Sequence, residues 1–182
     1  MLVAVLVEGP SDRQAVLALA AGRGVRLDEH GVGVVAMDGV TNTARHVAEL
    51  GPLGQGLRLT GLYDAGEERF VRQGLERGGV AVGADLADHG FHRCVRDLEE
   101  ELIRALGTER VLEVVDEEGD LAHLRGLQQQ PAQRHRPTED QLHRFLGSGS
   151  GRKIRYAALL VAALRDDEVP DPLARVLADA LG

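Results

Sequence analysis

Tryptophan is absent from this chain, and cysteine occurs once, at Cys94. One thiol excludes an internal disulfide and leaves no cysteine pair for a zinc ribbon or a CxxC redox centre. The seven histidines are scattered, with no HExxH, so a zinc site has little support. Aromatics are scarce too: Phe70, Phe91, Phe145, Tyr63 and Tyr156 are the whole set. So few stacking platforms argue against sequence-specific reading of single strands. No apolar run approaches the ~18 residues of a membrane span, and the start lacks the basic region and cleavage site of a signal peptide. A cytoplasmic protein is the expectation.

Lysine is nearly missing. Of 21 basic residues only Lys153 is lysine, the only asparagine is Asn42, and isoleucine occurs only at Ile103 and Ile154. This pattern reads as a coding bias that puts arginine wherever either base would serve. An ammonium is a compact point charge and a guanidinium a broad fork, so the lone lysine is a candidate for a role arginine does not fill.

At 182 residues the chain has room for one domain with a substantial core. Its formal net charge of -8 argues against general polyanion binding. The distribution is uneven, however. Between Gly119 and Tyr156 six arginines and Lys153 face only Asp120, Glu139 and Asp140. An acidic body with a basic segment suits a metal site that meets a polyanion along one face; it equally suits a solvated helix pair.

The first twelve residues, M-L-V-A-V-L-V-E-G-P-S-D, organise the rest. Leu2 to Val7 is an unbroken, β-branched apolar run of the kind buried on both faces of a parallel sheet. Glu8 stands where that strand ends, Gly9 and Pro10 make the turn, and Asp12 falls in the first turn of a helix running to Ala21. Further strands are expected at Val32 to Met37, Leu57 to Tyr63 and, beginning a fourth, Val80 to Val82, with a short one at Val111 to Val115. Helices are expected over Thr43 to Leu50, capped by Thr41 or Asn42, and over Glu67 to Arg77. Another spans Asp97 to Gly107, with Asp97 as N-cap, Glu100 in a capping box and Gly107 closing it. Strands alternating with helices predict an α/β fold with a mostly parallel sheet flanked by helices. Residues 1–118 would form that core and 119–182 a helical extension packed on it. The extension would hold helices at Leu121 to Gln129, Thr138 to Leu146, Lys153 to Leu164 and Pro172 to Leu181. Q-Q-Q-P-A-Q-R-H-R-P and G-S-G-S-G read as flexible connectors.

Three groups of acids then collect at one end of the expected sheet: Glu8 with Asp12, Asp64 with Glu67 and Glu68, and Asp97 with Glu99. Singly, each has an ordinary explanation as a helix cap or a first-turn acid. Together they would repel strongly, and a divalent cation resolves the conflict. Hard oxygen donors favour magnesium or manganese over zinc. Neighbouring helix residues diverge by ~100°, so only one of Glu67 and Glu68 faces inward easily.

Five stretches, V-L-V-E-G-P-S-D, D-G-V-T-N at Asp38 to Asn42, G-L-Y-D-A-G-E-E at Gly61 to Glu68, R-D-L-E at Arg96 to Glu99 and G-R-K at Gly151 to Lys153, resemble the TOPRIM domain. Within it they are most similar to the version found in OLD-family (overcoming lysogenization defect) nucleases, and they cover most of the chain in order. The resemblance implies divalent metal on Glu8 and Asp64, further ligands at Asp12, Glu68 or Glu67, Asp97 and Glu99, and Lys153 near a scissile phosphate. It also implies two Mg²⁺ or Mn²⁺ ions and phosphodiester chemistry on nucleic acid, with DNA favoured over RNA and the choice left open by the sequence. Glu8 would be a ligand or the base, and Lys153 would neutralise developing charge. Arg134, Arg136, Arg144, Arg152 and Arg155 would contact phosphates.

Two departures stand out. Many TOPRIM domains carry D-x-D where this chain has Gly66 two residues after Asp64. OLD-family nucleases also usually carry an ABC-type ATPase, whereas G-S-G-S-G-R-K is not a Walker A; an ATPase would act in trans or not at all. A non-catalytic TOPRIM module partnering such an ATPase, and a small-nucleotide phosphohydrolase, are the alternatives to a nuclease.

Overall fold

The computed structural model describes residues 2–149 and 151–182. Met1, in the opening twelve-residue stretch, and Ser150, in the G-S-G-S-G stretch, lie outside the described residues.

Four strands form one parallel sheet in the order β2-β1-β3-β4. They are β1 (Val3–Val7), β2 (Val32–Ala36), β3 (Arg58–Asp64) and β4 (Phe91–Cys94). All five residues of β1 are buried, as an apolar run without alternation requires of a central strand. Its side chains divide between two cores. Val3, Val5 and Val7 join the larger one, whereas Ala4 and Leu6 join the smaller.

The smaller core lies under α2 (Thr43–Leu50) and α3 (Glu68–Arg77), through Val47, Leu50, Val71 and Leu75. The larger face carries α1 (Pro10–Gly22), α4 (Leu98–Glu117), α5 (Leu121–Gln128), α6 (Thr138–Leu146), α7 (Arg152–Ala163) and α8 (Asp171–Leu181). Leu142, Phe145, Tyr156, Leu160, Leu173 and Leu177 are buried there in one cluster with Val5, Val16 and Leu19. The helices after Gly119 thus share a hydrophobic core with β1 and α1. At ~25 cal/mol per Å² of buried apolar surface, each such leucine contributes about 1.5–3 kcal/mol of transfer free energy.

The chain leaves β1 for β2 on one side and later returns to β3 on the other. The topological switch therefore lies between β1 and β3, where open α/β sheets form their crevice at the strands' carboxyl ends. Close approach of these two strands depends on Gly61: a Cβ there would stand 2.4 Å from the Leu6 carbonyl oxygen and 2.9 Å from the Phe91 ring.

Two expected strands are corrected. Residues 80–82 are not a strand; the Val80 amide closes the end of α3 on the Leu75 carbonyl, and Val80 and Val82 pack on the smaller core. The fourth strand is Phe91–Cys94, whose run hides a histidine, His92, paired with Asp179 of α8 at 2.6 Å. Val111–Val115 is helical, part of α4. Gly107 does interrupt that helix, with φ 74° and ψ 157°, but the chain resumes helical geometry immediately. The β-branched run then serves one buried helix face at Val111, Val114 and Val115. Two local readings also change. Asn42 occupies the N-cap position of α2, yet its amide reaches back to the Met37 and Asp38 carbonyls. Glu100 pairs with Arg104 rather than closing a capping box. The glutamine-rich connector is pinned, since Gln141 donates to the Gln133 carbonyl and Gln133 is itself buried.

Candidate metal centre

Glu8 follows the last residue of β1, and Asp64 is the last residue of β3, so the switch point sets the two acids side by side. A third carboxylate joins them. One oxygen from each of Glu8, Asp64 and Glu67 lies within 4.8 Å of the others. The local reason is a 3-10 turn over Ala65–Glu67. The turn follows Asp64 directly and brings the Glu67 carboxylate back to it. Glu68 starts α3 and is turned away to Arg72, 3.0 Å from it. Of the two glutamates the sequence left open, it is Glu67 whose carboxylate lies with Glu8 and Asp64.

Asp12 sits one turn into α1, where its Oδ2 accepts the Gly9 amide at 3.0 Å. Pro10 at the start of this helix and the Gly9 turn hold it beside Glu8. Glu8, Pro10, Asp12, Asp38 and Lys153 line one cleft of about 260 Å³. Asp38 adopts a positive φ of 58°, uncommon for a residue with a side chain. Gly39 beside it donates to the Glu8 carbonyl, tying the D-G-V-T-N loop to the end of β1.

Glu99 is 4% exposed. Its Oε2 has the Lys153 ammonium, 3.1 Å away, as its partner. Asp97 caps α4: Oδ1 accepts the Glu100 amide at 2.8 Å, and Oδ2 lies 2.6 Å from His143 Nε2 on α6. Both Asp97 oxygens are thus engaged. Nothing in its sequence context marked His143 as a partner.

The carboxylates bear the cost of their crowding. Burial first, then the charges of Asp12, Glu8, Asp97 and Glu67, raise Asp64 to about 8. Burial, a hydrogen bond shared with Glu8 and the charges of Glu8 and Asp12 raise Glu67 to about 7. Burial and Glu99 raise Asp12 to about 6, against the Gly9 amide and Lys153. Asp97 goes the other way: burial opposes its charge, but the His143 and Glu100 hydrogen bonds hold it below the ordinary carboxylate value. Lys153 is desolvated, yet Glu99, Asp12 and Asp97 keep it above the ordinary lysine value.

A divalent cation fits this donor set. Every donor is a carboxylate oxygen, and Glu67 Oε2 is buried without a hydrogen-bond partner. A buried, unpaired carboxylate oxygen is expensive unless something cationic or protic meets it.

The arginines divide into two sets. Arg134, Arg136 and Arg144 are exposed, on the loop before α6 and on α6. Arg152 lies over the Phe145 ring at 4.3 Å and donates to Ser148, and Arg155 pairs with Glu118 and Asp120. Those last two are engaged in holding α7. Among the described residues, no helix is long and apolar enough to cross a membrane.

Residues 3–55 match the family described as overcoming lysogenization defect protein-like, TOPRIM domain. No curated protein matches the chain in sequence. Among solved structures, the C-terminal region of the Xanthomonas campestris pv. campestris OLD protein is 28% identical. It aligns over 98% of this chain and 94% of its own length, with a TM-score of 0.72. A second structure of that region gives 27% identity and a TM-score of 0.75. The C-terminal region of the Burkholderia pseudomallei OLD protein shares the fold at 20% identity and a TM-score of 0.71, over 99% of this chain and 98% of that one. Over residues 3–55 the chain thus matches the OLD-like TOPRIM model, and its four-stranded parallel sheet is similar to that of the OLD C-terminal regions.

Proposed function

We propose that this protein is a divalent-metal-dependent phosphodiester hydrolase acting on nucleic acid, DNA in preference to RNA. The observation that carries the reading is the Glu8, Asp64 and Glu67 group at the β1/β3 switch point, with the Lys153 and Glu99 pair beside it. Glu8, Asp64 and Glu67 would hold Mg²⁺ or Mn²⁺, and Asp12 and Glu99 would serve a second ion. The cation supplies Lewis acidity toward a phosphoryl oxygen and lowers the pKa of bound water.

The remaining work falls to the chain's own residues. Glu8, at the carboxyl end of β1 and lining the cleft, is placed either as a ligand or to accept a proton from an attacking water. Lys153, on the first turn of α7, places a persistent positive charge at the cleft rim. Such a charge counters what builds up on phosphoryl oxygens as the leaving group departs. Arg134, Arg136 and Arg144 supply backbone contacts that fix register without reading sequence.

Incubation of plasmid and single-stranded DNA with the protein in Mg²⁺, Mn²⁺ or EDTA tests this. Metal-dependent nicking that disappears in Glu8→Ala and Lys153→Ala is the expected result; nicking that persists in EDTA overturns it. Gly66 favours one other reading, a TOPRIM module without catalysis that partners an ATPase encoded separately. Metal binding without nicking would favour that module.

A further inference from the structure

Helix α6 grips the loop between β4 and α4 at two successive residues with opposite charges. Asp140 Oδ1 lies 3.4 Å from Arg96, and His143 Nε2 lies 2.6 Å from Asp97. Asp140 and His143 are three apart and therefore share one face of α6. The opposite face is anchored, with Leu142, Phe145 and Leu146 all buried in the larger core. The grip is thus mounted on a rigid element. Reversing Arg96 would set like charges against Asp140, so that pairing also fixes the loop's register.

The loop governs Glu99. Asp97 is the N-cap, Leu98 is buried as the first helical residue, and Glu99 follows as the second. Where Glu99 points depends on the first turn of α4 being closed, and that turn is closed by Asp97 Oδ1 on the Glu100 amide. Glu101, also buried, ties the same loop from behind by accepting the Val95 amide at 2.8 Å. Each Asp97 oxygen already has a donor, Oδ1 the Glu100 amide and Oδ2 His143, so the residue is committed to its cap.

Resting on the metal-dependent reading above, we propose that His143 is a positioning residue for the metal centre. It acts by locking Asp97 as the cap of α4 so that Glu99, and not Asp97, presents a carboxylate to the second ion. The aspartate and histidine form a support behind the acid, of the kind whose loss typically costs about 10- to 100-fold in metal affinity.

Mn²⁺ titration of the full chain by calorimetry and by electron paramagnetic resonance, with circular dichroism melting curves beside it, is the test. His143→Ala should weaken the weaker Mn²⁺ site about 10-fold and broaden its resonance signal. His143→Gln, whose amide can reach the same oxygen, should recover most of that loss. Asp97→Asn keeps an acceptor for the Glu100 amide and turns an amide N–H toward His143 Nε2, which can accept it, and so should hold Mn²⁺ affinity within about 3-fold. If Asp97→Asn abolishes the weaker site while the protein stays folded, Asp97 is a ligand and the proposal is wrong. If His143→Ala lowers the melting temperature but leaves both Mn²⁺ sites unchanged, His143 is only structural and the proposal is again wrong. A wild-type chain that binds no Mn²⁺ removes the metal reading itself, and the positioning role with it.

Discussion

Lys153 Nζ stands 3.1 Å from the buried Oε2 of Glu99, so the chain's only lysine, which lines the cleft with Glu8 and Asp12, neutralises a buried acid. Burying one member of an ion pair is tolerable only while the other remains, because an uncompensated charge in a low-dielectric site is costly. Lys153 therefore balances the acid set before any metal arrives, and it is placed to meet phosphate afterwards.

Replacement of this lysine should expose both roles. Lys153→Met is expected to cut the DNA nicking rate about 100-fold or more, the cost of losing one well-placed electrostatic donor. Lys153→Arg should recover little, because a planar fork does not fit a place shaped for a point charge. Single-turnover nicking rates at saturating Mg²⁺ check this; full activity in the arginine variant would contradict it.

Glu67 and Glu68 should separate cleanly. Glu67→Gln removes a carboxylate from the three-acid group and is expected to lower Mn²⁺ affinity about 10-fold or more, whereas Glu68→Gln loses only a pair with Arg72 and should change it less than about 2-fold. Calorimetric titration of the two variants decides between the adjacent glutamates.

Stability without metal should fall as pH rises. Asp12, Asp64 and Glu67 carry raised values of about 6, 8 and 7 in the folded protein, against ordinary values of 3.8, 3.8 and 4.5. The folded state therefore keeps protons that the unfolded chain has released, and this contribution is complete below pH ~4 and lost as pH climbs to ~8. Asp64→Asn removes the group raised furthest. Melting curves in EDTA should show the wild type losing more stability than Asp64→Asn between pH ~5 and pH ~8, and saturating Mg²⁺ should narrow the difference. Parallel profiles for the two proteins would refute the assignment.

Gly61→Ala should damage both fold and site. A methyl 2.4 Å from the Leu6 carbonyl forces β1 and β3 apart. Overpacking of this kind costs about 1–3 kcal/mol. Because Glu8 and Asp64 extend from the same two strands, Mn²⁺ affinity should fall along with the denaturation midpoint.

DNA binding should depend on the exposed arginines. Removing Arg134, Arg136 and Arg144 together is expected to reduce the slope of log K against log salt by about one unit for each phosphate that is no longer neutralised. Arg155→Ala, whose guanidinium already serves Glu118 and Asp120, should leave the slope nearly unchanged and lower thermal stability instead. Fluorescence anisotropy on a labelled duplex at several salt concentrations measures both.

The opening strand was legible because an unbroken apolar run followed by Glu8, Gly9 and Pro10 has few other solutions in a globular fold. The helices after Gly119 were legible for a similar reason, their apolar spacing following the helical period. Val111 to Val115 misled, because β-branched residues score as strand locally while a helix face buried in the larger core accepts them as readily. Phe91–Cys94 was hidden for the opposite reason: its His92 is polar by sequence and buried only because α8, far along the chain, brings Asp179 to it.

The sequence by itself determined the α/β class, the acids at the ends of β1 and β3, and the conspicuous lone lysine, since these follow from periodicity and composition within short windows. Only the tertiary structure decided that Glu67 and not Glu68 joins Glu8 and Asp64, that Asp97 is held by His143, and that Lys153 meets Glu99. The physical reason is distance along the chain. A one-residue difference between a 3-10 turn and an α-helix rotates a carboxylate by roughly a third of a turn, and pairs separated by about fifty residues are set by how α4, α6 and α7 pack.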